Sequence, residues 1–339
     1  MKDKKILVTG ANGFLGSYIV RHLLSQGYIH VLAGCRADSN LEMLTGLEDH
    51  VELTELDILD VCRLEELINE VDAVIHAAAT VSFEPRIRDT MYKVNVEGTA
   101  NLVNVCLGKP IIKFVHISSV AALGRLKNHQ SIDERIKWAT SPFNTHYAIS
   151  KYMAEQEVWR AFHEGLPVAV INPSLILGAG NWIKGSVNIV DTIHKGVSFF
   201  PVGSTGIVDV RDVAKMAGLL LESSISGERF ICNGGNISYR DLFSKIAGNL
   251  QVQPPAKPLK PWLEALAWRV EAFKNRMIKK PLTVTRETLM TSSKSYTYDA
   301  SKAKNMLNFE FRDPDSILLD CCNAYQEAKK ENRCFGVYK

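Results

Sequence analysis

Short apolar runs alternate with amphipathic stretches through the first half of this chain, and no other feature restricts its fold as strongly. "KILVTG", "IHVLAGC", "VELTEL", "DAVIHAAA", "IIKFVHISS" and "PVAVINPS" read as strands. Between or after them, "FLGSYIVRHLLSQG", "LEELINEV", "TMYKVNVEGTANLVNVCL" and "HYAISKYMAEQEVWRAFHEG" read as helices, the first ending at Gly27. Strands that are apolar on both faces need helices on both sides. The alternation therefore predicts an α/β fold with a doubly wound parallel sheet.

After about residue 174 the rhythm breaks. "LGAGNWIKGSVN" is glycine-rich and loop-like, "VRDVAKMAGLLLES" and "YRDLFSKIAGNL" are helical, and "ERFICNGG" returns to strand. The proline-rich "QVQPPAKPLKP" leads into a helical pattern at 262–277, with Trp262, Leu266, Val270, Phe273 and Met277 on one face. Two parts are expected: residues 1–174, and a smaller, mostly helical lobe over 175–339 whose stretch at about 205–235 returns to the first part.

The 339 residues are 46% hydrophobic and 23% charged, enough to bury a core without disulfide or metal staples. A net charge of +3 does not argue for a nucleic-acid partner. The seven cysteines form no CxxC pair and no zinc-spaced cluster, so no metal site is expected. Scattered, odd-numbered thiols suit a reducing compartment. "MKDKKILVTG" lacks a signal-peptide pattern, and no apolar run approaches the roughly 18–20 residues of a membrane span. A cytoplasmic protein is expected.

"VTGANGFLGSYIV" places Gly10, Gly13 and Gly16 between the first strand and the first helix. The spacing is GxxGxxG. Glycine permits a tight turn and close backbone approach to a pyrophosphate, and the helix start offers free N–H groups and a favourable dipole. The second strand runs out as Gly34-Cys35-Arg36, where an acidic residue would bind the ribose of NAD. Arg36 suits the 2′-phosphate of NADP; a solvated arginine is the other reading, and Asp38 lies just beyond. Asp57 follows the third strand, where a carboxylate can accept from an adenine amino group. Ala77, Ala78 and Ala79 follow the fourth, where small residues let backbone lie against a cofactor. A loop aspartate and a close-packed turn would look the same.

Tyr147 precedes Lys151 by four residues in "THYAISKYMAE", so both sit on one helix face. Alone, the pair does not separate an ordinary helix contact from a proton-transfer centre. The context does: "VTGANGFLG", "DI" at 57–58, "HAAA", "NVEGT", "ISS", "YAISK" and "NPS" occur in this order. By that set the sequence resembles the extended short-chain dehydrogenase/reductase family, also called the NAD(P)-dependent epimerase/dehydratase family, from about residue 4 to 325.

The resemblance implies a Rossmann-type NAD(P)-binding domain over 1–174 and a substrate-binding lobe after it. It implies catalytic roles for Tyr147, Lys151, Ser119 and Asn95. Ser119 would orient the substrate oxygen, and Asn95 would support the lysine, often through water. Cofactor contacts are implied at Gly10, Gly13, Phe14, Leu15, Gly16, Asp57, Ile58, Ala77, Ala78, Ala79, Tyr147 and Lys151, and at Pro173 and Ser174 beside the nicotinamide. A free phenol has a pKa near ~10. A neighbouring ammonium and an oxidised nicotinamide would lower it. Many relatives pair as homodimers through the helices that correspond here to about 89–106 and 146–164.

Within the family, "CRADSN" looks like the NADP-binding segment of dihydroflavonol reductases, and Thr-His, not Asn-Gly-x, precedes Tyr147. No clear arginine motif for a sugar nucleotide is present, and Arg211 matches a widespread segment. These features favour an oxidoreductase that uses NADP(H), with NAD(H) the alternative cofactor. It would interconvert a carbonyl and an alcohol, resembling dihydroflavonol 4-reductases and 3β-hydroxysteroid dehydrogenases. A nucleotide-sugar epimerase or dehydratase is the runner-up. A redox-dead dinucleotide sensor or scaffold would not need Ser119, Tyr147 and Lys151. The 262–277 helix reads as a wall for a hydrophobic substrate, as a membrane-touching surface, or as packing. Trp182 reads as a ligand contact or as packed loop.

Overall fold

The computed structural model describes residues 1–124, 131–259 and 285–338. Its strands in chain order are β1 (Ile6–Thr9), β2 (Val31–Cys35), β3 (Glu52–Glu55), β4 (Ala73–His76), β5 (Lys113–Ile117) and β6 (Val168–Pro173). They continue with β7 (Leu175–Leu177), β8 (Phe199–Phe200), β9 (Ser204–Asp209), β10 (Glu228–Cys232), β11 (Gly235–Ser238) and β12 (Lys257–Pro258). The helices are α1 (Phe14–Ser25), α2 (Val61–Ile68), α3 (Arg88–Tyr92), α4 (Gly98–Leu107), α5 (His146–His163), α6 (Asn188–His194), α7 (Val210–Glu222) and α8 (Tyr239–Asn249). Beyond them lie α9 (Arg286–Ser292), α10 (Ser301–Leu307) and α11 (Pro314–Lys330).

Seven parallel strands form the main sheet in the order β10-β6-β5-β4-β1-β2-β3. The order reverses between β1 and β4, which opens a crevice at the carboxyl ends of those strands, the usual ligand position in such sheets. Side-chain alternation assigns each strand's two faces. Ile6 and Val8 join α1 and α7 residues such as Ile19, Leu23, Val213 and Leu220 in one core. Leu7 and Leu32 join Leu64 of α2, Leu102 of α4 and Val158 of α5 in the other. The expected doubly wound Rossmann-type fold is present. The strand expected at "ERFICNGG" is β10; it pairs in parallel with β6, Glu228 opposite Ala169 and Cys232 opposite Pro173.

Two features differ from the sequence reading. The helix expected over "TMYKVNVEGTANLVNVCL" is interrupted by a π-helical turn at Lys93–Glu97. Such turns insert one residue into the helical ladder and recur at functional sites; this one buries Asn95. The later part is mostly helical, but it also carries a three-stranded sheet, β11-β9-β7, and the pair β12–β8. Three of these five strands, β7, β8 and β12, are only two or three residues long, so periodicity had little to register there.

Trp182 lies in the core of this later part, against Tyr325 at 5.3 Å between ring centroids and in one cluster with Ile193 and Phe243. It is packing, with 2% of its surface exposed. Arg211 is structural too. Its guanidinium grips Asp209 through two hydrogen bonds of 2.8 and 2.7 Å and Asp320 through one of 2.6 Å, over the Tyr338 ring. The expected 262–277 helix lies outside the described residues. Among the described residues, no helix is long and apolar enough to cross a membrane, and no cluster of three or more potential ligands is placed to hold a metal.

Candidate active site

The loop between β1 and α1 carries Gly10 and Gly13 at the crevice, and Gly16 stands in the first turn of α1. Gly10 has φ +67, and a Cβ there would stand 2.8 Å from the Ala78 Cα. A Cβ on Gly16 would stand 2.1 Å from the Gly10 carbonyl oxygen. Only glycine lets β1, α1 and the β4 end approach this closely. Gly13 caps α1 without a side-chain hydrogen bond, and no acidic residue occupies the first turn. The helix therefore presents its N–H groups and positive dipole end to an anion. Phe14 and Leu15 are half-buried; the Phe14 ring lies edge-on to Tyr18.

The strand ends supply the rest of the crevice rim. Arg36 is exposed directly after β2, with no ion pair to its side chain among the described residues. Asp57 is exposed, and its Oδ1 accepts from the Leu59 N–H at 2.9 Å. Ile58 is buried, and its side chain packs against Gly98. Ala77 and Ala78 are half-buried and Ala79 is exposed. Pro173 ends β6, and Ser174 is buried, with its N–H donating to the Cys232 carbonyl at 3.0 Å. These positions fit a dinucleotide: small residues, a free helix start and exposed polar groups follow the strand ends in sequence.

Ser119, Tyr147 and Lys151 converge at the ends of β5 and α5. Thr145 caps α5 by accepting from the Ala148 N–H at 3.1 Å, which fixes the first turn that carries Tyr147. The Ser119 hydroxyl, which accepts from the Ala121 N–H at 3.1 Å, acts on the Tyr147 phenol and lowers its pKa. Phe83 meets the Tyr147 ring edge-on at 5.8 Å. Lys151 is 3% exposed, and its ammonium donates to the Ile117 carbonyl at 2.8 Å.

The electrostatics differ from the expectation of a lowered phenol. Burial raises the Tyr147 pKa above the ordinary value of 10, and the Ser119 hydrogen bond opposes this only in part. The Lys151 ammonium is itself pushed down to about 8 by burial, with Glu155 pulling it back up. Desolvation is thus the larger influence at Tyr147 and favours the neutral phenol.

Asn95 is 1% exposed and reaches α5 through a neighbour. Its amide donates to the Thr80 carbonyl at 2.9 Å and to Ser150 Oγ at 3.0 Å, while its oxygen accepts from the Thr80 N–H at 2.7 Å. Ser150 Oγ in turn donates to the Tyr147 carbonyl at 2.9 Å.

A second chain of bonds runs back to the glycine loop. The Ala78 N–H donates to Thr9 Oγ1 at 3.1 Å, and Thr9 lies 2.7 Å from His76 Nδ1. His76 Nε2 lies 3.0 Å from Thr99 Oγ1, which donates to the Asn95 carbonyl at 2.6 Å. With the Thr99 proton so used, Nε2 carries the histidine proton and Nδ1 accepts from Thr9. Burial pushes His76 down to about 3, so the ring stays neutral.

Sequence reasoning did not find Phe83, Ser150 or His76 as parts of this centre. Ser150 was findable, one residue before Lys151 in a helix start. His76 stands in the quoted "HAAA", where only the alanines drew attention. Phe83 has no local signal, because loop geometry brings it to Tyr147.

A family model for the NAD dependent epimerase/dehydratase family matches residues 6–232, about two thirds of the chain. A Synechocystis sp. protein with a provisional dihydroflavonol 4-reductase name is 30% identical over 329 residues, 94% of each chain. Cinnamoyl-CoA reductase 1 of Oryza sativa subsp. japonica is 30% identical over 276 residues, 75% of this chain and 80% of that one. The crystal structure of gox2253 superposes with a TM-score of 0.82 at 32% identity, over 98% of this chain and 99% of that one. The sequence set of motifs, the sheet order and these matches agree: the chain belongs to the NAD-dependent epimerase/dehydratase family, the extended short-chain dehydrogenases/reductases.

Proposed function

We propose that this chain is an NADP-dependent oxidoreductase that interconverts a carbonyl and an alcohol. The observation that carries the reading is the placement of Ser119 at the end of β5 beside Tyr147, with the buried Lys151 one turn on and tied to the Ile117 carbonyl, at the carboxyl edge of the sheet. Gly10, Gly13, Phe14, Leu15 and Gly16 would hold the pyrophosphate side of the dinucleotide. Asp57, the Ile58 backbone and Ala77 to Ala79 would line the adenosine side, and Pro173 and Ser174 the nicotinamide. Exposed Arg36 supports NADP(H) over NAD(H).

When bound, the nicotinamide supplies or accepts the hydride. Tyr147 gives its phenolic proton to the carbonyl oxygen in reduction and takes it back in oxidation. A neutral phenol suits the donating role. Ser119 donates to the same oxygen and fixes its direction. Lys151 would hold the nicotinamide ribose hydroxyls, and its charge would favour the phenolate that remains after proton transfer. Asn95 sets the Tyr147 turn through Ser150. The part after residue 174, together with Phe83, forms the substrate side, and reductase-named relatives with Phe83 beside the reacting group support a hydrophobic carbonyl compound.

By likeness to the family the protein is a cytoplasmic homodimer, paired through the outer faces of α4 and α5; sedimentation would test this. Titration with NADPH, NADH and UDP-sugars in parallel tests the function. Tight NADPH binding without a UDP-sugar response is the expected result. Firm NAD(H) binding with a UDP-sugar response would move the assignment to a nucleotide-sugar epimerase or dehydratase. Dinucleotide binding without turnover of any carbonyl, alcohol or sugar nucleotide would leave a sensor or scaffold.

A further inference from the structure

Glu155 lies one turn beyond Lys151 on α5 and is 1% exposed. Four donors meet its two carboxylate oxygens. Ser118 Oγ donates to Oε2 at 2.6 Å and Asn172 Nδ2 to the same oxygen at 2.8 Å. Trp159 Nε1 donates to Oε1 at 3.1 Å and Arg229 Nη1 at 3.2 Å. A carboxylate offers about four lone-pair positions, and here each has a donor. The donors come from the end of β5, from β6, from α5 itself and from β10. Asn172 Nδ2 also donates to the Ser119 carbonyl at 3.0 Å.

The carboxylate is therefore tied to the strand end that bears Ser119 and stands on the helix that bears Tyr147 and Lys151. A buried carboxylate with only one cationic partner is costly, and an amide would accept at one oxygen only. A fold that needed a staple alone would be served by apolar packing at this depth.

What the charge adds is its field at Lys151. Among the described residues, the titratable groups coupled to that ammonium are His76 on β4, His116 on β5 and Glu155 itself, with Tyr147 one turn before it on α5. Both histidines are held neutral by burial and by the lysine itself, and Tyr147 is a neutral phenol. Glu155 is the one anion in this set, and it opposes the desolvation of the lysine.

We propose that Glu155 is a positioning residue of this centre that keeps Lys151 protonated within the buried core of α5. It rests on the reading of Tyr147 and Lys151 given above. The carboxylate touches neither the substrate nor the cofactor; it acts through the lysine.

The test uses the full chain with ε-13C-labelled lysine, the Lys151 resonance being identified by its loss in Lys151→Met. In Glu155→Gln the titration midpoint of Lys151 falls by about one pH unit, the size of a lost neighbouring charge. In Arg229→Met it rises through loss of the cation itself, and adding Glu155→Gln in that background lowers it again by about one unit. A midpoint in Glu155→Gln equal to that of the parent overturns the proposal. Should Glu155→Gln not fold alone, the double variant, which leaves no unpaired guanidinium, decides: a midpoint below that of Arg229→Met supports the proposal, and one equal to it overturns it. A merely structural Glu155 would lower stability without moving the midpoint in either background. Tyr147→Phe, assayed beside them for NADPH oxidation against a panel of carbonyls, separates the two claims. Retained turnover there removes the catalytic reading, whereas lost turnover with unmoved Lys151 midpoints removes only Glu155.

Discussion

The Asn95 amide donates to Ser150 Oγ at 3.0 Å and so grips α5 at the residue next to Lys151. The bond starts from a π-helical turn and ends on the second turn of α5, so it joins two elements whose spacing sets the Tyr147 position. Replacing Asn95 by Ala leaves Ser150 Oγ and both Thr80 backbone groups without this partner. The expected cost is about 2 kcal/mol of unfolding free energy, with a large loss of turnover. Urea denaturation beside steady-state kinetics checks both.

Lys151 gives a stability prediction with a definite sign. Its ammonium titrates at about 8 in the folded chain, below the ordinary 10.5. Below pH 8 the lysine is charged in both states, and the cost of burying it is present in full. Between pH 8 and 10.5 the folded state has released the proton while the unfolded chain still binds it, so stability rises. The parent chain should therefore gain on Lys151→Met over that window. Denaturation of both chains at neutral pH and near pH 10 measures it; a constant difference would show that the folded lysine titrates normally.

Arg36 is exposed at the end of β2 with its guanidinium available. Arg36→Ala should weaken NADPH by about 2 kcal/mol, roughly thirtyfold, the worth of charge-assisted hydrogen bonds. NADH should change little. Equal losses for both cofactors in fluorescence titrations would remove Arg36 from the 2′-phosphate role.

Gly16 tests the loop. A Cβ at 2.1 Å from the Gly10 oxygen cannot be accommodated without moving the turn. Gly16→Ala should lower affinity for NADPH and NADH alike by more than tenfold, on the order of the 1–3 kcal/mol of overpacking. Undiminished binding would show that the turn does not shape the dinucleotide site.

The main sheet was legible in the sequence because β1, β2, β4, β5 and β6 are buried along their whole length and read as largely apolar runs, whereas β3 at the edge is exposed at three of four positions. The glycine loop was legible because Gly10, Gly13 and Gly16 stand between a strand and a helix. Tyr147 with Lys151 needed the other motifs for its meaning. What stayed hidden depended on distance in sequence or on burial. Phe83 reaches Tyr147 across 64 positions of chain, and Glu155 gains its importance from Ser118, Asn172 and Arg229 on three different strands or their ends. The burial that raises the Tyr147 phenol stayed hidden for the same reason: the charge of Lys151 is visible in a sequence, and the desolvation of Tyr147 is not.

The most direct test of the account is the fate of deuterium from NADPH labelled at the transferable C4 position, incubated with the protein and hydrophobic aldehydes and ketones. Label at the carbinol carbon of a product alcohol, formed by the parent and not by Tyr147→Phe, is the predicted result. Label that stays on the cofactor for every carbonyl, while a UDP-hexose is interconverted with no net change of cofactor, would contradict it.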